Sequence, residues 1–228
     1  MTTIIENTAE EFLQATNVSR ETLQLYQNWY NLLTRWNNKI NLVSPHTIHN
    51  YWLRHALDSQ QLCSLAPAAT KNWIDLGSGA GFPGLAIAIA FKEQETGENA
   101  SRSDENKKPS RQVTLVESNG KKCNFLRAVI RELNLPAIAK QERVENAGSQ
   151  SYDVISARAF APLPKLFEYS LPFFGVDTLA IFPKGRAWQE EVEAAQKHWQ
   201  FTLETKDSKT DPDAKVLLVT GLKKRDKV

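Results

Sequence analysis

Apolar positions near the start of the chain recur at helical intervals. Leu23, Tyr26, Trp29, Tyr30, Leu33, Trp36 and Ile40 fall on one stripe. Three- and four-residue spacing predicts a helix with one buried face. Aromatic side chains dominate this stripe, which suits the core of a helical cap. Ahead of it, Thr8-Ala9-Glu10-Glu11 has the form of a capping box and predicts a short helix to about Thr16, and Ser19 suits the N-cap of the next. Ser44-Pro45 predicts a further helix running to about Leu65. Within it Arg54, His55, Asp58 and Ser59 stand at helical spacings, so several share a face. That face is either a solvated surface closed by an Asp-to-Arg or Asp-to-His bond, or one turned toward a ligand.

From Trp73 onward the pattern changes to short apolar runs alternating with amphipathic stretches. Strands are predicted at the run ending in Asp75, at Gln112–Val116, Ala137–Lys140, Tyr152–Ala157 and Thr178–Phe182. Helices are predicted at Leu85–Phe91, Gly120–Leu133, Leu163–Phe173 and Trp188–Lys197. Phe201–Thr205 and Val216–Leu222 read as two last strands joined by a polar link containing Asp211-Pro212-Asp213. The stretch Lys92–Arg111 has one alanine and no larger apolar side chain, and predicts a flexible surface insertion. The whole implies an α/β fold: five strands alternating with helices, an antiparallel pair closing the sheet, and an N-terminal helical cap over residues 1–70 ahead of residues 71–228, in one compact unit.

Length and composition narrow the class. A chain of 228 residues suits one α/β domain with a small addition. No apolar run approaches the roughly 18 residues of a membrane span, and the N-terminus lacks a basic segment followed by an apolar one. Cys63 and Cys123 stand far apart, against a disulfide scaffold or a zinc site, and a reducing cytoplasm is expected. His46 and His49 lack the further ligands a metal site needs, so no metal is expected. The net charge of +2 permits a nucleic-acid partner without demanding one.

The candidate chemistry centres on Trp73–Gly84, W-I-D-L-G-S-G-A-G-F-P-G. A strand meets a glycine-rich turn and a helix start, with Pro83 suited to the first helical turn. Free amides there take an acidic or polar ligand group. Gly79–Gly84 matches a dinucleotide fingerprint. The frame two residues earlier, Asp75-x-Gly77-x-Gly79-x-Gly81, resembles motif I of class I S-adenosylmethionine (AdoMet) methyltransferases, whose ligand brings an ammonium, a carboxylate and a sulfonium and no pyrophosphate, so an acid beside the loop is welcome. Glu117 ends the second strand, where a carboxylate can accept both ribose hydroxyls of an adenosine in either ligand. Arg158 ends the fourth, as a fixed fork for a carboxylate or phosphate. Phe160 is placed either to stack on a base or to pack in the core.

Several segments together resemble the GidB family of ribosomal RNA small subunit methyltransferases. They are N-K-I-N-L-V-S at Asn38–Ser44, R-H-A-L-D-S at Arg54–Ser59, D-L-G-S-G-A-G-F-P-G at Asp75–Gly84, V-E-S-N-G-K-K-C-N-F-L at Val116–Leu126, R-V-E at Arg143–Glu145 and A-R-A-F-A-P-L at Ala157–Leu163. The resemblance implies a class I AdoMet-dependent methyltransferase sheet, Rossmann-like. It implies methylation of guanine N7 in 16S ribosomal RNA, with the RNA or the small subunit as partner and the chain a monomer. Cofactor contacts implied are Asp75, Gly77, Gly79, Gly81, Phe82, Val144, Glu145 and Arg158, with Glu117 on the ribose beside Ser118 and Asn119. Arg54, His55 and Phe160 are candidates for the RNA side, and Lys121, Lys122, Lys184 and Arg186 for phosphate contacts. Guanine N7 carries a lone pair and no proton, so positioning takes the place of an acid–base pair and no catalytic residue is assigned.

Overall fold

The computed structural model describes residues 8–98 and 110–225. Residues 1–7 of the expected cap, residues 99–109 of the polar stretch and residues 226–228 lie outside them. Helices α1 (Ala9–Thr16) and α2 (Arg20–Asn37) open the fold. Thr8 forms the expected capping box with Glu11, and the Ser19 hydroxyl accepts from Thr22 N at the start of α2. Tyr26, Trp29 and Leu33 of the stripe are fully buried.

The single helix expected from Ser44 to Leu65 is broken. It begins as α3 (Pro45–Ile48), continues through π-helical turns at Tyr51–Leu57, and passes into the short α4 (Asp58–Gln60) and a 3-10 turn at Cys63–Leu65. Wider π turns rotate the following residues around the axis and free carbonyls for other partners. The carbonyl of Arg54 is one that bonds elsewhere: it accepts from the Arg158 side chain.

Seven strands form one sheet, β1 (Asn72–Leu76), β2 (Gln112–Val116), β3 (Ala137–Lys140), β4 (Val154–Ser156), β5 (Leu179–Lys184), β6 (Trp199–Asp207) and β7 (Lys215–Lys224). Their order is β3-β2-β1-β4-β5-β7-β6. The first five are parallel, and β7 runs antiparallel between β5 and β6. Helices α5 (Gly84–Glu98), α6 (Gly120–Glu132), α7 (Leu163–Ser170) and α8 (Trp188–Gln196) supply the connections. Chain order reverses at β1, with β2 on one side and β4 on the other. A crevice opens there at the carboxyl ends of the strands.

Two apolar clusters follow from the period of two along each strand. Trp73, Val113, Leu115 and Val154 face α5 and the N-terminal helices, while Ile74, Leu76, Val116 and Ile155 face α7 and α8. Asp75 shares the parity of Trp73.

Helix α5 also corrects an expectation. It runs on to Glu98, seven residues into the stretch read as a flexible insertion. Lys92 Nζ reaches the carbonyls of Leu133 and Asn134, and Glu93 accepts from Ser19 N. Polar anchors to α6 and α2 hold what apolar burial would not. Pro83 lies one residue ahead of α5 rather than inside it.

Candidate functional site

The glycine loop leaves β1 at the reversal point. Gly77, Gly79 and Gly81 all have positive φ (68°, 55° and 95°), a region glycine enters without steric cost. What a side chain would meet differs among them. A Cβ on Gly77 would run into the Phe160 ring, and one on Gly81 into Leu85. At Gly79 the nearest atom would be the Gly77 carbonyl oxygen at 3.9 Å, so that position opens onto the cleft.

Asp75 is fully buried and stands behind the loop. Its Oδ1 accepts the Ser156 hydroxyl at 2.7 Å and its Oδ2 accepts Gly84 N at 3.3 Å. Ser156 in turn accepts from the Trp73 indole at 2.8 Å. Burial raises the Asp75 carboxyl to about 6, against the pull of these hydrogen bonds. The residue expected to meet the ligand therefore holds the helix start and the β1–β4 junction. Gly81 likewise lies outside the cleft wall.

Glu117, at the end of β2, is buried and faces the cleft. Its Oε2 accepts Gly79 N at 2.9 Å and its Oε1 accepts Asn119 N at 2.7 Å. The Asn119 side chain caps α6 by accepting from Lys121 N and Lys122 N, which turns it toward its own helix. Lys122 and Ser118 line the cleft, whereas Lys121 is exposed and does not. Val144 and Glu145 close another side, in a 3-10 turn after β3. The cleft encloses about 520 Å3. Leu42, Val43 and Tyr169 also line it, and sequence reasoning missed all three as site residues. Leu42 and Val43 sit inside the N-K-I-N-L-V-S segment, which was a signal for the first two. Tyr169 had none.

Arg158 joins the helical cap to the loop. Its Nη1 donates to the Arg54 carbonyl at 3.0 Å and to Asp58 Oδ2 at 2.9 Å, and its Nη2 lies 3.0 Å from His55 Nδ1. The guanidinium stands 5.0 Å from the Phe82 ring centroid. Phe82 stacks on Trp29 at 4.4 Å and on His55 at 4.7 Å. Burial, then the charges of Arg158 and Arg54, push the His55 imidazole down to about 3. It is neutral, so Nδ1 accepts from Arg158 and Nε2 carries the proton. Asp58 also accepts from Thr210 Oγ1 at 2.8 Å and Gln61 Nε2 at 2.9 Å. The Asp-to-Arg bond weighed from sequence exists, with Arg158 as the partner in place of Arg54.

The phosphate-contact candidates Lys184 and Arg186 are both engaged with carboxylates. Lys184 lies within β5, donates to Glu191 at 2.7 Å and to the Ala161 carbonyl at 2.8 Å, and is largely enclosed. Arg186 is highly exposed and paired with Asp213 at 2.9 Å. Phe160 is partly exposed and lies over Gly77 and beside Tyr169, 5.4 Å between ring centroids.

Known proteins resemble this chain in sequence and in fold. The family model described as GidB, rRNA small subunit methyltransferase G, matches residues 22–97 and 105–215. Ribosomal RNA small subunit methyltransferase G of Parvibaculum lavamentivorans is 43% identical over 216 residues, covering 94% of this chain and 89% of that protein. The protein of the same name from Rhizobium meliloti is 41% identical over 220 residues, covering 94% and 96%. Among solved structures, the O-methyltransferase from Bacillus cereus in complex with SAH superposes with a TM-score of 0.60 at 13% identity, covering 96% of this chain and 100% of that one. A putative O-methyltransferase from Klebsiella pneumoniae gives 0.56 at 11%, covering 93% and 95%. The structural likenesses show a class I methyltransferase fold. The sequence matches, extending over most of the length, go further: the chain belongs to the GidB family, rRNA small subunit methyltransferase G.

Proposed function

We propose that this chain transfers the methyl group of AdoMet to N7 of a guanine in small-subunit 16S ribosomal RNA. The observation that carries the reading is the pairing of Glu117 with Gly79 at the sheet's reversal point, in a chain of this family. The site fits the cofactor on two counts. Each carboxylate oxygen of Glu117 holds one backbone amide and keeps a second lone pair for a ribose hydroxyl. Gly79, lacking a side chain, leaves the cleft floor open, and a volume of about 520 Å3 lies in the range of cofactor sites. Gly77, Gly79, Phe82, Glu117, Ser118, Val144, Glu145 and Arg158 would hold it.

When bound, the cofactor supplies an electrophilic methyl on a sulfonium. The chain's own task is alignment. Guanine N7 has its lone pair in the ring plane and no proton to lose, so no residue need act as base. Orientation of two bound reactants is worth up to roughly 7–11 kcal/mol, enough to account for a site without an acid–base pair. Arg158 is held from three directions and Phe82 from two faces of the cap, which fixes the wall against which alignment occurs. Asp75 acts through the loop, orienting Gly84 and the start of α5. The reading also has the chain act as a monomer in the cytoplasm.

The test incubates small ribosomal subunits, and the 16S RNA alone, with the protein and methyl-labelled AdoMet. Label is expected on guanine N7. Label on no base with either substrate would overturn the reading.

A further inference from the structure

A second cavity of about 910 Å3 adjoins the cleft, and Arg158, Ala159 and Phe160 belong to the walls of both. This stretch of chain forms their shared border. Ala159 has a φ of 51°, a left-handed conformation that residues with a Cβ rarely adopt. It turns the backbone so that Arg158 reaches the helical cap while Phe160 lies on Gly77. Strain of this kind persists where surrounding contacts hold it, and it clusters at functional sites.

The lining of this cavity suits a nucleotide. Pro162, Pro183 and Pro212 give it apolar surface. Most of its charged groups are engaged: Lys184 with Glu191, Asp58 with Arg158 and Thr210, Lys215 with Asp207. Arg54 differs. It lines the cavity, and among the described residues its guanidinium has no hydrogen-bond or ion-pair partner. An unpaired guanidinium on a cavity wall is a site for an anion.

We propose that the second cavity receives the target guanine nucleotide, flipped out of its RNA strand, with Arg54 on its phosphate and the base edge at the Arg158–Ala159–Phe160 border, directed into the cofactor cleft. The assignment rests on the methyl-transfer reading above. Enzymes acting on a base take it out of the stack into a pocket of this kind. Arginine commonly reads guanine through O6 and N7. Here N7 must stay free, which assigns Arg54 to the phosphate and not to that edge. A phosphate contact adds no sequence preference and makes affinity depend on salt.

Two substitutions test this in the full chain, each assayed with small ribosomal subunits and with AdoMet titrated by calorimetry. Arg54→Gln is expected to raise the KM for subunits about 10-fold and to flatten its dependence on log salt by about 0.7, with AdoMet affinity within about twofold of the parent. Ala214→Trp, which fills the cavity from the β6–β7 link, is expected to lower turnover about 100-fold while AdoMet still binds, and that binding shows the chain is folded. An unchanged KM and salt slope in the first, or full turnover in the second, overturns the pocket assignment. Loss of AdoMet affinity in the first also overturns it, because Arg54 would then serve the cofactor cleft. If the unsubstituted chain labels no guanine, the reaction itself falls and the pocket with it.

Discussion

Glu117 grips Gly79: a carboxylate oxygen accepts the glycine amide at 2.9 Å, 38 positions back along the chain, while its other oxygen accepts Asn119 N at 2.7 Å. The acid expected to serve the ribose thus also sets the shape of the loop on which the ligand lies.

Glu117→Gln should therefore behave much like Glu117→Ala. An amide has one acceptor oxygen, and its NH2 would face a backbone N–H at Gly79 or Asn119. Hydrogen bonds to a charged group are worth about 1.5–3 kcal/mol, so AdoMet affinity is expected to fall roughly 10- to 100-fold in both. Calorimetry measures it. Parental affinity in the Gln variant would mean that one accepting oxygen suffices.

Two glycines five positions apart, Gly79 and Gly84, should fail in opposite ways. A side chain at Gly79 meets open cleft, so Gly79→Val should fold and lose AdoMet binding, with the left-handed backbone costing about 1–2 kcal/mol. At Gly84 a Cβ would lie 2.8 Å from Asp75 Oδ2 and 2.8 Å from Leu115 Cδ2. Gly84→Ala should lower stability by about 1–3 kcal/mol through overpacking. Thermal denaturation and cofactor titration on both variants separate the two effects.

Arg158→Lys should not preserve function. The ammonium is a point charge and lacks the planar fork that reaches the Arg54 carbonyl, Asp58 and His55 together. Turnover is expected to drop at least about tenfold, with a stability loss of about 1–3 kcal/mol. Steady-state methylation and urea unfolding are the measurements, and parental turnover would show that charge alone is enough.

His55 and Asp75 give the fold opposing pH dependences. The His55 imidazole is lowered from 6.5 to about 3, so its neutral form stabilises the fold above pH 6.5 and that stability is lost as pH falls toward 3. The Asp75 carboxyl is raised from 3.8 to about 6, so its contribution is fullest below 3.8 and is lost as pH rises through 6. Replacing the histidine removes only the first effect. The destabilisation caused by His55→Gln should be larger at pH 7 than at pH 5, measured by urea unfolding at both. An equal cost at the two values would mean that His55 charges freely in the folded chain.

Much of the fold was legible. The capping box at Thr8, the cap at Ser19, the aromatic stripe and the limits of β2 and β3 follow from local rules, because a cap or a strand face depends on residues a few places away. The direction of Asp75 was legible in principle, since it shares a strand face with Trp73. The fate of Lys184 was not. Its sequence neighbours Gly185 and Arg186 offer it no partner, but α8 brings Glu191 over it and the Ala161 carbonyl completes its enclosure. Nor did the helical pattern after Ser44 reveal π turns, because the residue that draws off the Arg54 carbonyl lies about a hundred positions further on.

By itself the sequence determined the periodicities, the caps, the glycines where the backbone turns left-handed, and the segments that mark the family. Each of these is written in spacing or in residue type. Tertiary structure decided which polar groups remain available. Asp75, Asn119 and Lys184 bond their own chain, while Arg54 faces a cavity and its guanidinium has no partner among the described residues. A polar side chain's role depends on what comes within about 3 Å of it, and only folding brings those groups together.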